Sequence, residues 1–178
     1  MVFLDRGGVI NHLQQKDITE VEGWDPISGS IEAINRFKKR ATWSPSRPTT
    51  RELRNGITIE EDLLKLYEKM QRMLFTRGAR VDGIFYCLHG PEANSICREP
   101  RPGLLDQIAK EFEIERSNTV MGEGSISDIR AAKMASAKPV LVRTGKGDYT
   151  MQHFAEMLDV PVYDDLAHFV RETLLRRH

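Results

Sequence analysis

Residues 2–11 read VFLDRGGVIN. An apolar run ends in a carboxylate, two glycines follow, and a second apolar pair leads to Asn11. A buried strand that hands Asp5 to a tight glycine turn sets a charged group at the strand's carboxyl edge. Ligands bind at that edge in open α/β sheets. An Asp there can act as a nucleophile or hold a cation. Taken alone, the stretch is equally compatible with a strand followed by an ordinary turn and a solvated Asp.

Working outward, apolar residues recur at helical spacing over 27–40, 59–77, 103–113, 126–136 and 165–176, with a further helix over 150–158. Short apolar runs at 82–87, 119–122, 139–143 and 161–163 read as strands. This alternation predicts one parallel sheet with helices on both faces. The exception is 41–55, ATWSPSRPTTRELRN, where Pro45, Pro48 and several charges argue against a central strand.

At 178 residues the chain is long enough for one domain with its own core, spanning 1–178. The 26 basic and 26 acidic residues balance, so no strong field points to nucleic acid or to an anionic membrane. No apolar run reaches the roughly 18 residues of a membrane-spanning helix. Two cysteines build no disulfide framework, and a cytoplasmic location is expected.

Four stretches in order, FLDRGGVIN, YCLHGPEANSICREPRPG, GEGSISDIRAA and VLVRTGKG, resemble the haloacid-dehalogenase (HAD) phosphatases. Within them the match is to the branch of heptose-bisphosphate 7-phosphatases and histidinol phosphatases. The resemblance runs from about residue 2 to about 170 and implies a Rossmann-like HAD fold without a large cap, carrying a small metal-binding loop. It also implies Mg²⁺-dependent hydrolysis of the 7-phosphate of D-glycero-D-manno-heptose 1,7-bisphosphate through an aspartyl phosphate, a step toward lipopolysaccharide precursors. The implied partner is a small phosphorylated sugar, and the implied state is a monomer.

Carried over position by position, Asp5 is the nucleophile and a Mg²⁺ ligand. Gly7 stands where the family has its acid/base Asp, so that only its backbone carbonyl is left for Mg²⁺. Asp128 is kept as a metal ligand, but Gly124 stands where a second carboxylate belongs, with Glu123 one residue out of register. Arg98 is kept beside Glu99, which occupies the position of a lysine. Asn11, Thr49, Thr50 and Lys146 fall at substrate-binding positions; for Asn11 a turn-stabilising role, and for Lys146 a solvated loop charge, stay open. The branch's four-ligand zinc loop is matched over 87–97 by Cys87, His89 and Cys97, with Ser95 at the third ligand.

These departures open an alternative, an inactive pseudophosphatase that keeps the fold and binds a sugar phosphate or a protein partner. A further expectation concerns residues 41–54. Read two bases on, their permitted codons allow L-V-A and then V-A-T-N-H-S-G-I-A, in register with the flanking helices. That is the strand and phosphate-binding turn the resemblance expects, as if the segment were frame-shifted. A divergent loop is the other reading, and coding DNA across codons 40–56 distinguishes them.

Overall fold

The computed structural model describes residues 1–13, 24–37, 40–44, 59–87, 89, 94–97 and 99–175. Six parallel strands form one sheet in the order β3-β2-β1-β4-β5-β6: β1 Val2–Asp5, β2 Arg40–Ser44, β3 Ile84–Tyr86, β4 Val120–Glu123, β5 Lys138–Val142 and β6 Val162–Tyr163. The helices are α1 Ser30–Asn35, α2 Ile59–Thr76, α3 Gly103–Glu111, α4 Ile126–Met134, α5 Gly147–His153 and α6 Leu166–Leu175. The order runs outward from β1 on both sides, so the chain's first strand lies in the middle.

β1 has no exposed residue, as a strand covered on both faces requires. Its pleat divides the core. Val2 and Leu4 pack with Ile31 and Ile34 of α1, Leu66 and Met70 of α2, and Phe169 of α6. Phe3 points the other way, to Leu104, Leu105 and Ile108 of α3 and Ala131 and Ala132 of α4. Burying such side chains contributes about 1.5–3 kcal/mol for each large one, so both layers are anchored through β1. Among the described residues no separate cap domain is built.

The expectation that 41–55 lacks a central strand is overturned. β2 lies between β1 and β3, with Leu4 opposite Thr42 and Asp5 opposite Trp43. The described strand, Arg40–Ser44, includes neither Pro45 nor Pro48, so it asks no proline to donate to the ladder. The helix expected over 27–40 is correspondingly shorter. Gly29 takes a left-handed φ of 77° ahead of α1, and Arg40 already belongs to β2. The helix expected over 150–158 instead starts at Gly147 and is followed by a 3-10 turn over Ala155–Met157.

Candidate active site

Asp5, the last residue of β1, is 7% exposed, and its Oδ1 accepts the Arg6 backbone N–H at 2.6 Å. The chain then turns sharply. Ile10 and Asn11 donate their N–H groups to the Arg6 carbonyl at 3.0 and 3.1 Å, and Gly8 donates to the Asn11 carbonyl at 2.7 Å. Asn11 is buried, and its Nδ2 donates to the His12 carbonyl at 2.7 Å, so it closes the turn. Arg6 is buried with its guanidinium over the Tyr67 ring, 5.9 Å from the centroid.

The TGKG loop after β5 packs against this turn. Thr144 Oγ1 donates to the Gly8 carbonyl at 2.5 Å. A Cβ on Gly145 would lie 2.6 Å from the Gly8 Cα, and one on Gly147 would lie 1.8 Å from the Val142 carbonyl oxygen. Gly8 and Gly145 also adopt left-handed φ values, 85° and 64°, which favour glycine. The glycines of TGKG are therefore needed for close backbone approach. Lys146 is exposed at the head of α5.

On the other flank, β4 delivers Gly124 and then α4, whose first turn carries Asp128. Asp128 is 2% exposed; its Oδ2 accepts from Ser125 Oγ at 2.6 Å, and its Oδ1 is buried without a hydrogen-bond partner. Glu99 enters from the loop before α3. Both of its carboxylate oxygens are buried and neither makes a hydrogen bond of normal geometry.

Three acids thus share one buried region. Burial pushes the Asp5 carboxyl well above the usual carboxylate range and the charge of Asp128 adds to this. The Arg6 guanidinium and the N–H groups of Arg6 and Gly7 oppose it. Burial likewise raises Glu99, reinforced by the charge and proton-sharing contact of Asp128 and by the charge of Asp5, against a hydroxyl of Ser127. The three carboxylates are not drawn onto one point. The set whose ligand atoms already converge, among the described residues, is Cys87, His89 and Cys97.

The donors fit a hard cation in kind, being carboxylates and carbonyls with orphaned oxygens on Asp128 and Glu99. The space at Gly124 fits as well. A Cβ there would meet the Gly7 and Thr144 carbonyl oxygens and Val9 Cγ2 at an ordinary 3.9 Å. At Gly7 a Cβ would meet the flexible end of Leu13, Cδ2, at 3.2 Å.

In the loop where the resemblance implies zinc, Cys87 and Cys97 are joined as a disulfide. His89 Nδ1 lies 3.1 Å from Cys97 Sγ and 3.6 Å from Cys87 Sγ, and Ser95 Oγ lies 3.2 Å from Cys97 Sγ. All four expected positions are brought together. Arg98, Thr49 and Thr50 lie outside the described residues. The register also places a residue that the sequence reading did not single out. Ser44 ends β2 at the same edge as Asp5, one step past the Asp5–Trp43 pair. Arg40–Ser44 reads RATWS, with no apolar run to mark it, so the sequence carries no local signal for this placement.

The fold and this site define a HAD-type hydrolase. The HAD-hydrolase-like family model matches residues 96–169. The chain is 34% identical to D-glycero-beta-D-manno-heptose-1,7-bisphosphate 7-phosphatase of Pseudomonas putida over 98% of its own length and 99% of the relative's. It is 33% identical to the enzyme of that name from Bordetella bronchiseptica, covering 99% and 98%. A crystal structure of D,D-heptose 1,7-bisphosphate phosphatase from B. bronchiseptica complexed with magnesium and phosphate superposes with a TM-score of 0.89 at 30% identity, covering 99% and 98% of the two chains. The chain belongs to the D-glycero-beta-D-manno-heptose-1,7-bisphosphate 7-phosphatase family.

Proposed function

We propose that this chain hydrolyses the 7-phosphate of D-glycero-beta-D-manno-heptose 1,7-bisphosphate, with turnover strongly reduced by the absence of a side chain at Gly7. The observation that carries this reading is Asp5, buried at the carboxyl edge of the central strand of a chain that aligns with these phosphatases over nearly its whole length.

Asp5 attacks the phosphorus in line, the bond to the sugar oxygen breaks, and an aspartyl phosphate forms. Water then attacks that phosphorus and frees Asp5. The leaving oxygen needs a proton in the first step, and water must lose one in the second. A side chain at position 7 would handle both, and glycine has none. Losing a positioned acid/base costs about 10²–10⁴ in rate. Asp5, Asp128 and the Gly7 carbonyl would hold Mg²⁺, which when bound supplies charge neutralisation to the transferring phosphoryl group. Ser44, placed at the edge beside β1, is our candidate for the phosphoryl-binding hydroxyl, in place of Thr49 and Thr50.

In a reducing cytoplasm both cysteines would be thiols. Cys87, His89 and Cys97 are then three zinc ligands, with Ser95 leaving the fourth position weak. We take the working form to be a monomer. The experiment is phosphate release from the heptose 1,7-bisphosphate with Mg²⁺. Release that Asp5→Asn abolishes supports the reading; no release from either this chain or its Gly7→Asp variant overturns it in favour of a non-catalytic sugar-phosphate binder.

A further inference from the structure

The chain has two cysteines, and the fold brings both to one place. Cys87 directly follows β3 and is 2% exposed. Cys97 is half-buried and packs against the layer that holds Phe3, Leu104 and Leu105. Their Cα atoms lie 5.8 Å apart, a span that a disulfide bridges without backbone movement, and the sulfurs are joined. The chain beside Cys97 is anchored without calling on that bond. Gly103 donates its N–H to the Ile96 carbonyl at 3.1 Å, and the Arg101 guanidinium donates to the carbonyl and Oδ1 of Asn94. Zinc fits these residues only in part. Cys87, His89 and Cys97 converge, but the next group is the Ser95 hydroxyl, 3.2 Å from Cys97 Sγ, where structural zinc takes a fourth nitrogen or sulfur. Three ligands hold the metal weakly and leave two adjacent sulfurs open to oxidation.

We propose that Cys97 and Cys87 are a reversible thiol-modification site whose reactant is a low-molecular-weight disulfide of the glutathione kind. Cys97, which solvent reaches, attacks one sulfur of the small disulfide as a thiolate. A mixed disulfide forms on Cys97 and one small thiolate leaves. Cys87, buried behind it, then attacks the Cys97 sulfur; the intramolecular disulfide forms and the second small thiolate leaves. Two protein thiols are oxidised, one small disulfide is reduced to two thiols, and the protons of Cys97 and Cys87 pass to those thiols. Excess small thiol runs the exchange backwards. In a reducing compartment such a bond is transient and redox-sensing rather than a structural staple. The disulfide and a zinc ion exclude each other, because both use the same two sulfurs. This goes beyond the proposed hydrolysis and does not depend on it.

The test takes the full-length chain, reduced and freed of metal, through glutathione buffers from reducing to oxidising. Free thiols are trapped by alkylation and counted by mass spectrometry. Wild type should lose both alkylation sites together, as a monomer carrying no glutathione, and regain them in reduced glutathione. Cys87→Ser should stop at a mixed disulfide on Cys97. Cys97→Ser, left with the buried sulfur, should take up glutathione at least about tenfold more slowly. Oxidised wild type soaked in Zn²⁺ and desalted should retain no more zinc than the Cys87→Ser, Cys97→Ser double variant. The proposal is overturned by folded wild type that keeps both thiols in glutathione disulfide, or that gains mixed disulfides alone. Equal rates in the two single variants also overturn it, as does extra zinc on the oxidised chain. The wild-type thiol count needs no substitution, so it stays decisive if a serine variant fails to fold.

Discussion

The glycines around Asp5 fall into two groups, and the contrast between them separates the site's scaffold from its chemistry. In the TGKG loop and the turn it touches, Gly8, Gly145 and Gly147 have no room for a side chain; an added Cβ would meet backbone at 3.0, 2.6 and 1.8 Å. At Gly7 and Gly124 the nearest atoms are the tip of Leu13 at 3.2 Å and a ring of contacts at 3.9 Å. The first group is architecture: in this chain a side chain there would collide with backbone. The second has room for a Cβ, and it comprises the two positions where the proposed function expects a carboxylate.

The largest effect that would break this contrast is on folding. Gly147→Ala should cost at least about 4 kcal/mol and leave little folded protein, since its Cβ overlaps the Val142 carbonyl. Gly124→Asp should fold normally, and urea melts of the two variants check this. A Gly147→Ala chain as stable as wild type would dissolve the distinction. Next, Gly124→Asp should raise Mg²⁺ affinity by at least about tenfold, measured by calorimetric titration. Without metal the same variant should melt lower than wild type, because a further carboxylate joins Asp5, Asp128 and Glu99.

A smaller effect lies in pH. Asp5 and Glu99 hold protons more tightly folded than unfolded. Their stabilising contribution is therefore complete below the ordinary carboxylate range and is lost as pH rises toward their raised values. In EDTA, the melting temperature should fall from pH about 4 to about 7 relative to Glu99→Gln, whose profile should be flatter. Parallel profiles would show that Glu99 is not a buried acid. Smallest for activity is the loop that carries Cys87, His89 and Cys97. Ser95→Cys should bring zinc in the reduced protein up to a full equivalent by elemental analysis, with little change in phosphate release.

The sequence made β1, the alternating layers and the position of Asp5 plain because each rests on local periodicity and turn chemistry. β2 was hidden by its context. Arg40–Ser44 begins inside a helical spacing and ends next to Pro45, so five residues of strand carry less signal than the neighbours that contradict them. The roles of Gly145 and Gly147 were invisible for another reason, since close approach to Gly8 and Val142 is a property of the assembled sheet. Glu99 could be seen to differ from a lysine. That its oxygens are buried beside Asp128, with no hydrogen bond of normal geometry, is a tertiary fact. The remainder of the 41–54 segment, from Pro45 on, lies outside the described residues. We propose that its coding DNA, read two bases on, encodes the T-N-x-S-G turn; a shifted frame without it refutes the frame-shift reading.

The central claim is that an otherwise assembled phosphatase site lacks its proton-transfer group at Gly7. Initial rates of phosphate release from D-glycero-beta-D-manno-heptose 1,7-bisphosphate, with saturating Mg²⁺, test it in the chain and in its Gly7→Asp variant. The account predicts a rise of about 10²–10⁴-fold in the variant, with wild-type melting behaviour. A wild-type chain within about tenfold of the variant would contradict it, because position 7 would then contribute no proton transfer worth the name.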